Sequence, residues 1–235
     1  MAQRAASGLL RGVGAVARAA CGLERRGASN HGWLTRHYEK AARREAAAAA
    51  WAAAPALPPT GVARPRAFFE FAVDGKPAGR VTVELAADLL PETCKNFMRL
   101  CAGVKGNAFG RKMLLGYKGS QLNRIYKGAY LQLGDYVNGD GRTGHSALGR
   151  RFFADEGFLI PHAKPGLLTM VKGAVHENSS VFCITLKPLP HLDGRNVAFG
   201  SVTEGMNVIT ALNDEFQVKG KPVAPILITE CGVLP

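Results

Sequence analysis

The sequence predicts a mainly β domain, a closed antiparallel barrel capped at its ends by two helices, with an extended N-terminal arm in front of it. Three observations carry this. Residues 67–85, AFFEFAVDGKPAGRVTVEL, alternate in polarity on both sides of an Asp-Gly pair, the pattern of a hairpin closed by a tight turn. Short strand-like runs follow one another between glycine turns, with only two helical patterns among them. Charge is uneven: residues 1–66 hold eleven Lys/Arg against three Asp/Glu, so most of the +12 sits in the arm.

The arm begins MAQRAASGLLRGVGAVARAACGLERR, with Arg4, Arg11, Arg18 and Arg25 seven apart. On a helical wheel these four fall within about 60° of one another, and Leu9, Val13, Val16 and Leu23 lie opposite. The pattern is a basic amphipathic helix, weakened by four glycines. It fits either a mitochondrial presequence or a permanent arm that folds on an acidic partner, whether tubulin or its associated proteins in a microtubule wall, RNA or a membrane surface. The first places the protein in the mitochondrion, with a mitochondrial complex as partner and about 30 residues removed; the second leaves the arm in the working protein. Residues 38–55, YEKAARREAAAAAWAAAP, are strongly helix-forming and stop at Pro55. Trp51 is their one large apolar side chain, either an anchor into a partner groove or a ring folded back on its own domain. PALPPTGVARP then forms a stiff linker. The boundaries are therefore 1–66 for arm and linker and 67–235 for the globular domain.

Within the domain, PETCKNFMRLCAG opens on Pro91 and carries Cys94, Phe97 and Cys101 on one stripe of a short helix. Strands are expected at AYLQLGD, GLLTMV, VFCITL, VAFGSV and PILITECGVL, and the second helix at GMNVITALNDEF. Arg124 and Gln132 fall on two neighbouring strands, and GNAFGRKMLLGYKG is an extended loop. Five cysteines without a C-x-x-C pair suit a reducing compartment, and Cys94 and Cys101 are expected as buried apolar side chains. No zinc spacing is visible, and no stretch reaches the roughly 18 apolar residues that span a bilayer. His145, His162, His176 and His191 sit in loop-like contexts and are expected at the surface. GRTGHSALGRR is a basic glycine-rich loop, too irregular for a phosphate motif.

The blocks FFEFAVDGKPAGRVTVEL, PETCKNFMRLC, YKGSQLNRI, GDYVNGDGRTG, FADEGF, GLLTM, LDGRNVAFGSVTEGMNVI and ITECGVL, in that order, resemble a cyclophilin, the family of peptidyl-prolyl cis-trans isomerases. The resemblance covers residues 67–235 and implies an eight-stranded barrel with two capping helices. The loop before YKG and the GDYVNGDG segment are most similar to the divergent isomerase-like branch associated with ciliated cells, which implies an axonemal or cytoplasmic setting.

Turning an X-Pro bond faces a barrier of about 18–20 kcal/mol. It requires neither nucleophile, metal nor cofactor, but an apolar pocket for the proline ring and a cation that favours the twisted amide. The resemblance implies Arg124 as that cation and Gln132 as the group that steadies the substrate backbone. The rest of the groove departs from the family. Asn123 stands for a histidine, Ala129 for a pocket phenylalanine and Tyr130 for a methionine. Val171 and Lys172 replace a small residue and an asparagine, Val181 replaces a second glutamine and Cys183 a second phenylalanine. His191 takes the position of a large aromatic, Asn196 that of a pocket histidine, and Leu192 alone remains of the apolar wall. Two lost rings imply a hundredfold or greater weakening, at about 1.5–3 kcal/mol each. Lys172 is expected to bring a second cation to the path of the substrate backbone. Arg124 has two possible roles, a hydrogen bond to its own fold through Gln132 or a backbone carbonyl, or contact with substrate. The sequence thus points to a catalytically degenerate interaction subunit, with a mitochondrial isomerase and a proline-peptide binder as the competing readings.

Overall fold

Alternation in β1 (Arg66–Val73) and β2 (Lys76–Leu85) buries Phe69, Phe71, Val81, Val83 and Leu85 on one face, and the two strands close through Asp74 and Gly75, both at positive φ. The computed structural model describes residues 57–215 and 217–235. The expectations for Arg4, Arg11, Arg18, Arg25, Cys21, Trp51 and the helix over 38–55 lie outside the described residues.

After the hairpin come α1 (Pro91–Ala102), β3 (Val104–Ala108), β4 (Arg111–Leu115), β5 (Arg124–Tyr126) and β6 (Tyr130–Leu133). They are followed by β7 (Leu167–Met170), β8 (Phe182–Thr185), β9 (Ala198–Glu204), α2 (Met206–Asn213), β10 (Gln217–Val218), β11 (Lys221–Pro222) and β12 (Ile226–Leu234). Eight strands form one antiparallel sheet in the order β12-β1-β2-β9-β7-β8-β6-β5. It curls until its ends meet: the Leu122 N–H reaches the Ile226 carbonyl at 2.8 Å and the Ile228 N–H reaches Ser120 at 2.9 Å. Short bridges, rather than a full ladder, join the first and last strands.

The stretch expected as a loop after α1 is instead a hairpin, β3 and β4, turned through Phe109 and Gly110 at φ 51° and 74°. Two consecutive residues at positive φ match the right-handed twist of the flanking strands.

The barrel interior holds a cluster of rings. Phe97 of α1 packs against Phe69, Tyr117, Phe182 and Phe199 at centroid separations of 5.7, 5.4, 5.1 and 5.0 Å. Cys94 and Cys101 are buried beside it, as the helical stripe requires. No side chain of its own caps the start of α1. Glu156 does so from a distant loop, accepting the N–H groups of Glu92 and Thr93 and the Thr93 hydroxyl, each at 2.8 Å.

The described part of the linker is fastened to the barrel. Leu57 is buried, and the Pro65 carbonyl accepts the Leu85 N–H at 3.0 Å. Arg64, its side chain 4% exposed, donates to both carboxylate oxygens of Asp88, at 2.6 and 2.8 Å, and to the Pro58 carbonyl at 2.9 Å. The Arg64 hydrogen bond holds the Asp88 carboxyl below its ordinary range.

Candidate active site

Register brings the two expected polar residues together. Arg124 on β5 pairs with Gln132 on β6, Gln132 with Cys183 on β8, and Cys183 with Thr169 on β7. Ile125, Leu131, Ile184 and Leu168 alternate with these four and point into the core, so the row lies on the outer face of the barrel. Val181 and Cys183 are buried without belonging to the core cluster, which makes them floor on that same outer side. One step along, Tyr126 and Tyr130 stack with their rings 4.3 Å apart. Burial and Tyr126 hold the Tyr130 phenol above its ordinary range, and the Arg124 guanidinium opposes them.

The polar atoms of the row have unequal fates. One N–H of the Gln132 amide is committed, donating to the Gly141 carbonyl at 2.6 Å. Arg124 is half-buried, and among the described residues no hydrogen bond or ion pair holds its guanidinium. Of its two expected roles, attachment to its own fold through Gln132 is therefore not what the structure contains. Asn123, next to it, is buried. Its Oδ1 accepts the Asp135 N–H at 3.2 Å, while its Nδ2 finds no partner among the described residues.

Gly141 is held in place by Asp135, a buried residue that sequence reasoning missed. Its carboxylate accepts the N–H groups of Val137, Asn138, Asp140, Gly141 and Thr143 at 2.9–3.2 Å. The signal was an aspartate leaving a strand ahead of a short Asn/Asp/Gly run, the composition of a loop folded around an acceptor. Gly141 also has no room for a side chain, since a Cβ there would lie 2.9 Å from the Gln132 amide nitrogen.

The remaining expected groove residues lie on two further segments. Val171 is half-buried, and its N–H donates to Val181 at 2.9 Å. Leu192 is half-buried on a single helical turn over Pro190–Leu192, beside the exposed His191. Asn196 donates through Nδ2 to the Met170 carbonyl at 2.8 Å. Ala129 is half-buried at the end of the β5–β6 turn, its N–H donating to the Tyr126 carbonyl at 2.8 Å and its carbonyl accepting the Leu186 N–H at 2.7 Å. A cavity of about 240 Å³ adjoins the row, lined by Gly141, Arg142, Phe152, Val171, Lys172 and Val181 among others.

Three expectations are corrected here. Lys172 does not offer a free cation, because its ammonium donates to Asp155 at 2.6 Å and lies over the Phe158 ring at 5.1 Å. His145 is buried, its Nδ1 bonded to the Ser146 carbonyl. His162 is buried as well, with Nδ1 on Asp193 at 2.8 Å and Nε2 on the Thr169 hydroxyl at 2.9 Å, so it ties the end of the row to the turn that carries Leu192. His176 and His191 are exposed. For Lys172 and His162 the partner lies in a different loop, beyond the reach of local pattern, whereas His145 bonds the residue next to it.

Asp155 gathers the loop over 171–178. Besides Lys172 it accepts His176 at 2.6 Å and Asn178 at 2.9 Å, with its own side chain 5% exposed. Burial alone raises this carboxyl, but the hydrogen bonds from Lys172, Asn178 and His176 outweigh it and leave it below its ordinary range. A carboxyl depressed in the folded state contributes stability that is complete above the unfolded value of about 3.9 and is lost as pH falls through the folded value. The protection of the amides over 172–178 against hydrogen exchange, taken relative to the intrinsic rate at each pH, is expected to fall selectively below about pH 4. In Asp155→Asn the same amides should be poorly protected already at neutral pH, with no further loss in acid. Equal pH profiles for the two proteins would show that Asp155 does not hold the loop.

The description "Cyclophilin type peptidyl-prolyl cis-trans isomerase/CLD" matches residues 68–233. The chain belongs to the cyclophilin family. This cyclophilin is 41% identical over 174 residues to peptidyl-prolyl cis-trans isomerase D of Kluyveromyces lactis, covering 73% of this chain and 46% of that protein. It is 42% identical over 170 residues to peptidyl-prolyl cis-trans isomerase 9 of Caenorhabditis briggsae, covering 72% of this chain and 54% of that protein. A third relative, isomerase D of Eremothecium gossypii, is 41% identical over 173 residues. The cyclophilin thus spans about half the length of the curated relatives it matches. Among its described residues no helix is long and apolar enough to cross a membrane.

Proposed function

We propose that this cyclophilin domain is a weak or inactive prolyl isomerase that serves as a rigid interaction body, anchored in a large assembly by its basic arm. One observation carries the reading: Cys183, in the row that holds Arg124, and Ala129, in the turn between β5 and β6, stand at the positions expected to clasp the proline ring, and one N–H of the Gln132 amide is committed to Gly141. An arginine acts on an amide only when the proline is held against it. The arm, at net +8 over residues 1–66, supplies charge for an acidic protein surface. The partner proposed is the tubulin wall of a ciliary axoneme.

The unpaired Arg124 guanidinium favours a second reading, residual binding or slow turnover of X-Pro segments. One experiment separates the two. In a protease-coupled X-Pro assay and in reconstitution on microtubules, the interaction reading expects near-background turnover in the intact chain. It also expects microtubule binding to survive Arg124→Ala and to be lost on removal of residues 1–56, a cut that spares the buried Leu57 and the Arg64–Asp88 pair. Turnover that disappears in Arg124→Ala establishes the second reading. A native chain beginning near residue 30 would replace the axoneme by the mitochondrion.

A further inference from the structure

We propose that the β3–β4 hairpin is a separate docking surface that takes an extended acidic segment of a partner protein by strand addition. The two strands form a sheet of their own, and among the described residues neither outer edge pairs with another strand. The two-residue turn at Phe109 and Gly110 makes Ala108 and Arg111 the closing hydrogen-bonded pair. Alternation then turns the N–H and C=O groups of Lys105 and Asn107 outward on one edge and those of Lys112 and Leu114 outward on the other. All four of these residues are exposed, and Leu114 is 63% exposed, high for a large apolar side chain.

The hairpin is fastened on its other face. Val104 and Met113 pack against the core, and Ala108 and Leu115 are buried. At the tip, the Phe109 ring lies 4.8 Å below the Arg151 guanidinium and 5.5 Å from the His145 ring. An edge held this firmly loses little freedom when a strand is added, which favours binding.

Charge identifies the occupant. No Asp or Glu occurs between Gly103 and Gly119. Of the four cations in that stretch Lys118 pairs with Glu230, whereas Lys105, Arg111 and Lys112 have no ion-pair partner among the described residues. A groove of about 630 Å³ runs over this surface, lined by Lys105, Gly106, Asn107, Lys112, Met113 and Leu114. It offers apolar footing from Leu114 between two lysines. A strand alternating acidic and apolar residues complements it in charge and in edge hydrogen bonds at once. The chain's own arm carries the wrong charge for it. A nucleic acid fits less well, because the outward backbone groups would go unused.

The test uses the full chain and a fluorescein-labelled, blocked seven-residue peptide of alternating Glu and Val. Anisotropy is expected to show saturable binding that weakens with salt, and hydrogen exchange to show protection of the Lys112 and Leu114 amides, or of Lys105 and Asn107 if the other edge is used. Lys105→Glu with Lys112→Glu should weaken binding about tenfold or more. Leu114→Pro, which removes an N–H not used within the hairpin, should abolish protection on the β4 edge with the barrel intact. Equal affinity for the matching Lys/Val peptide, indifference to the double substitution, protection confined to other strands, or tighter binding of oligouridylate would each overturn the proposal.

Discussion

Placing a ring at each of the two proposed pocket positions, Ala129→Phe with Cys183→Phe, is expected to raise kcat/KM for an X-Pro peptide by about a hundredfold. Each ring buried against the proline contributes roughly 1.5–3 kcal/mol, and a discounted total of about 3 kcal/mol corresponds to that factor. The polar half of the site is already aligned, since Arg124 and Gln132 are direct cross-strand partners. Ala129→Phe alone should recover roughly the square root of the gain. Cys183 is only 2% exposed, so the larger side chain there costs about 1–3 kcal/mol in overpacking. Thermal unfolding of both variants must therefore accompany the kinetics. A folded double variant with unchanged turnover would move the defect from the pocket to the occupied Gln132 amide, and Gly141 would become the residue to address.

Phe97→Ala is expected to be the most damaging single change in the barrel, at about 3–5 kcal/mol. The ring is fully buried and touches four other aromatic side chains, so its removal leaves a cavity that α1 and the sheet cannot both close. Against a total of about 5–15 kcal/mol for a domain of this kind, the loss leaves little margin. Denaturant unfolding with an unchanged slope gives the value directly. Phe97→Leu, which refills most of the space, should cost less than half as much. A loss below about 1 kcal/mol for the alanine variant would mean that the ring cluster is not the keystone of the core.

The sequence and the structure agree where information is local. Asp74 and Gly75 mark a turn that needs two positive φ angles, Pro91 sits at the first position of α1, and the alternation in LNRI and YLQL puts Arg124 beside Gln132. Disagreement begins where a side chain is claimed by a distant loop. Nothing within a few residues of Lys172 says that Asp155, 17 residues earlier, will bind its ammonium. Nothing near His162 points to Asp193, 31 residues later. The hairpin over 104–115 escaped notice for a different reason. Its residues VKGNA and RKMLL bury too few side chains to alternate clearly, and its turn is Phe-Gly rather than the Asn-Gly or Asp-Gly that usually marks such a loop. Family likeness proposed the groove residues, but not that one N–H of Gln132 is bound to the Gly141 carbonyl.

The way the arm enters the barrel has a mechanical consequence. The linker runs directly into β1, an interior strand laddered to β12 on one side and β2 on the other. A pull on the arm along the strand loads both ladders in shear, and because their hydrogen bonds lie across the strand they resist together instead of peeling one at a time. The Arg64–Asp88 fork takes the first part of that load before β1 is reached. Tension on the arm would thus fall first on β1, β2 and β12, and the bonds from Ser120 and Leu122 to β12 would hand part of it to the segment that leads into Arg124.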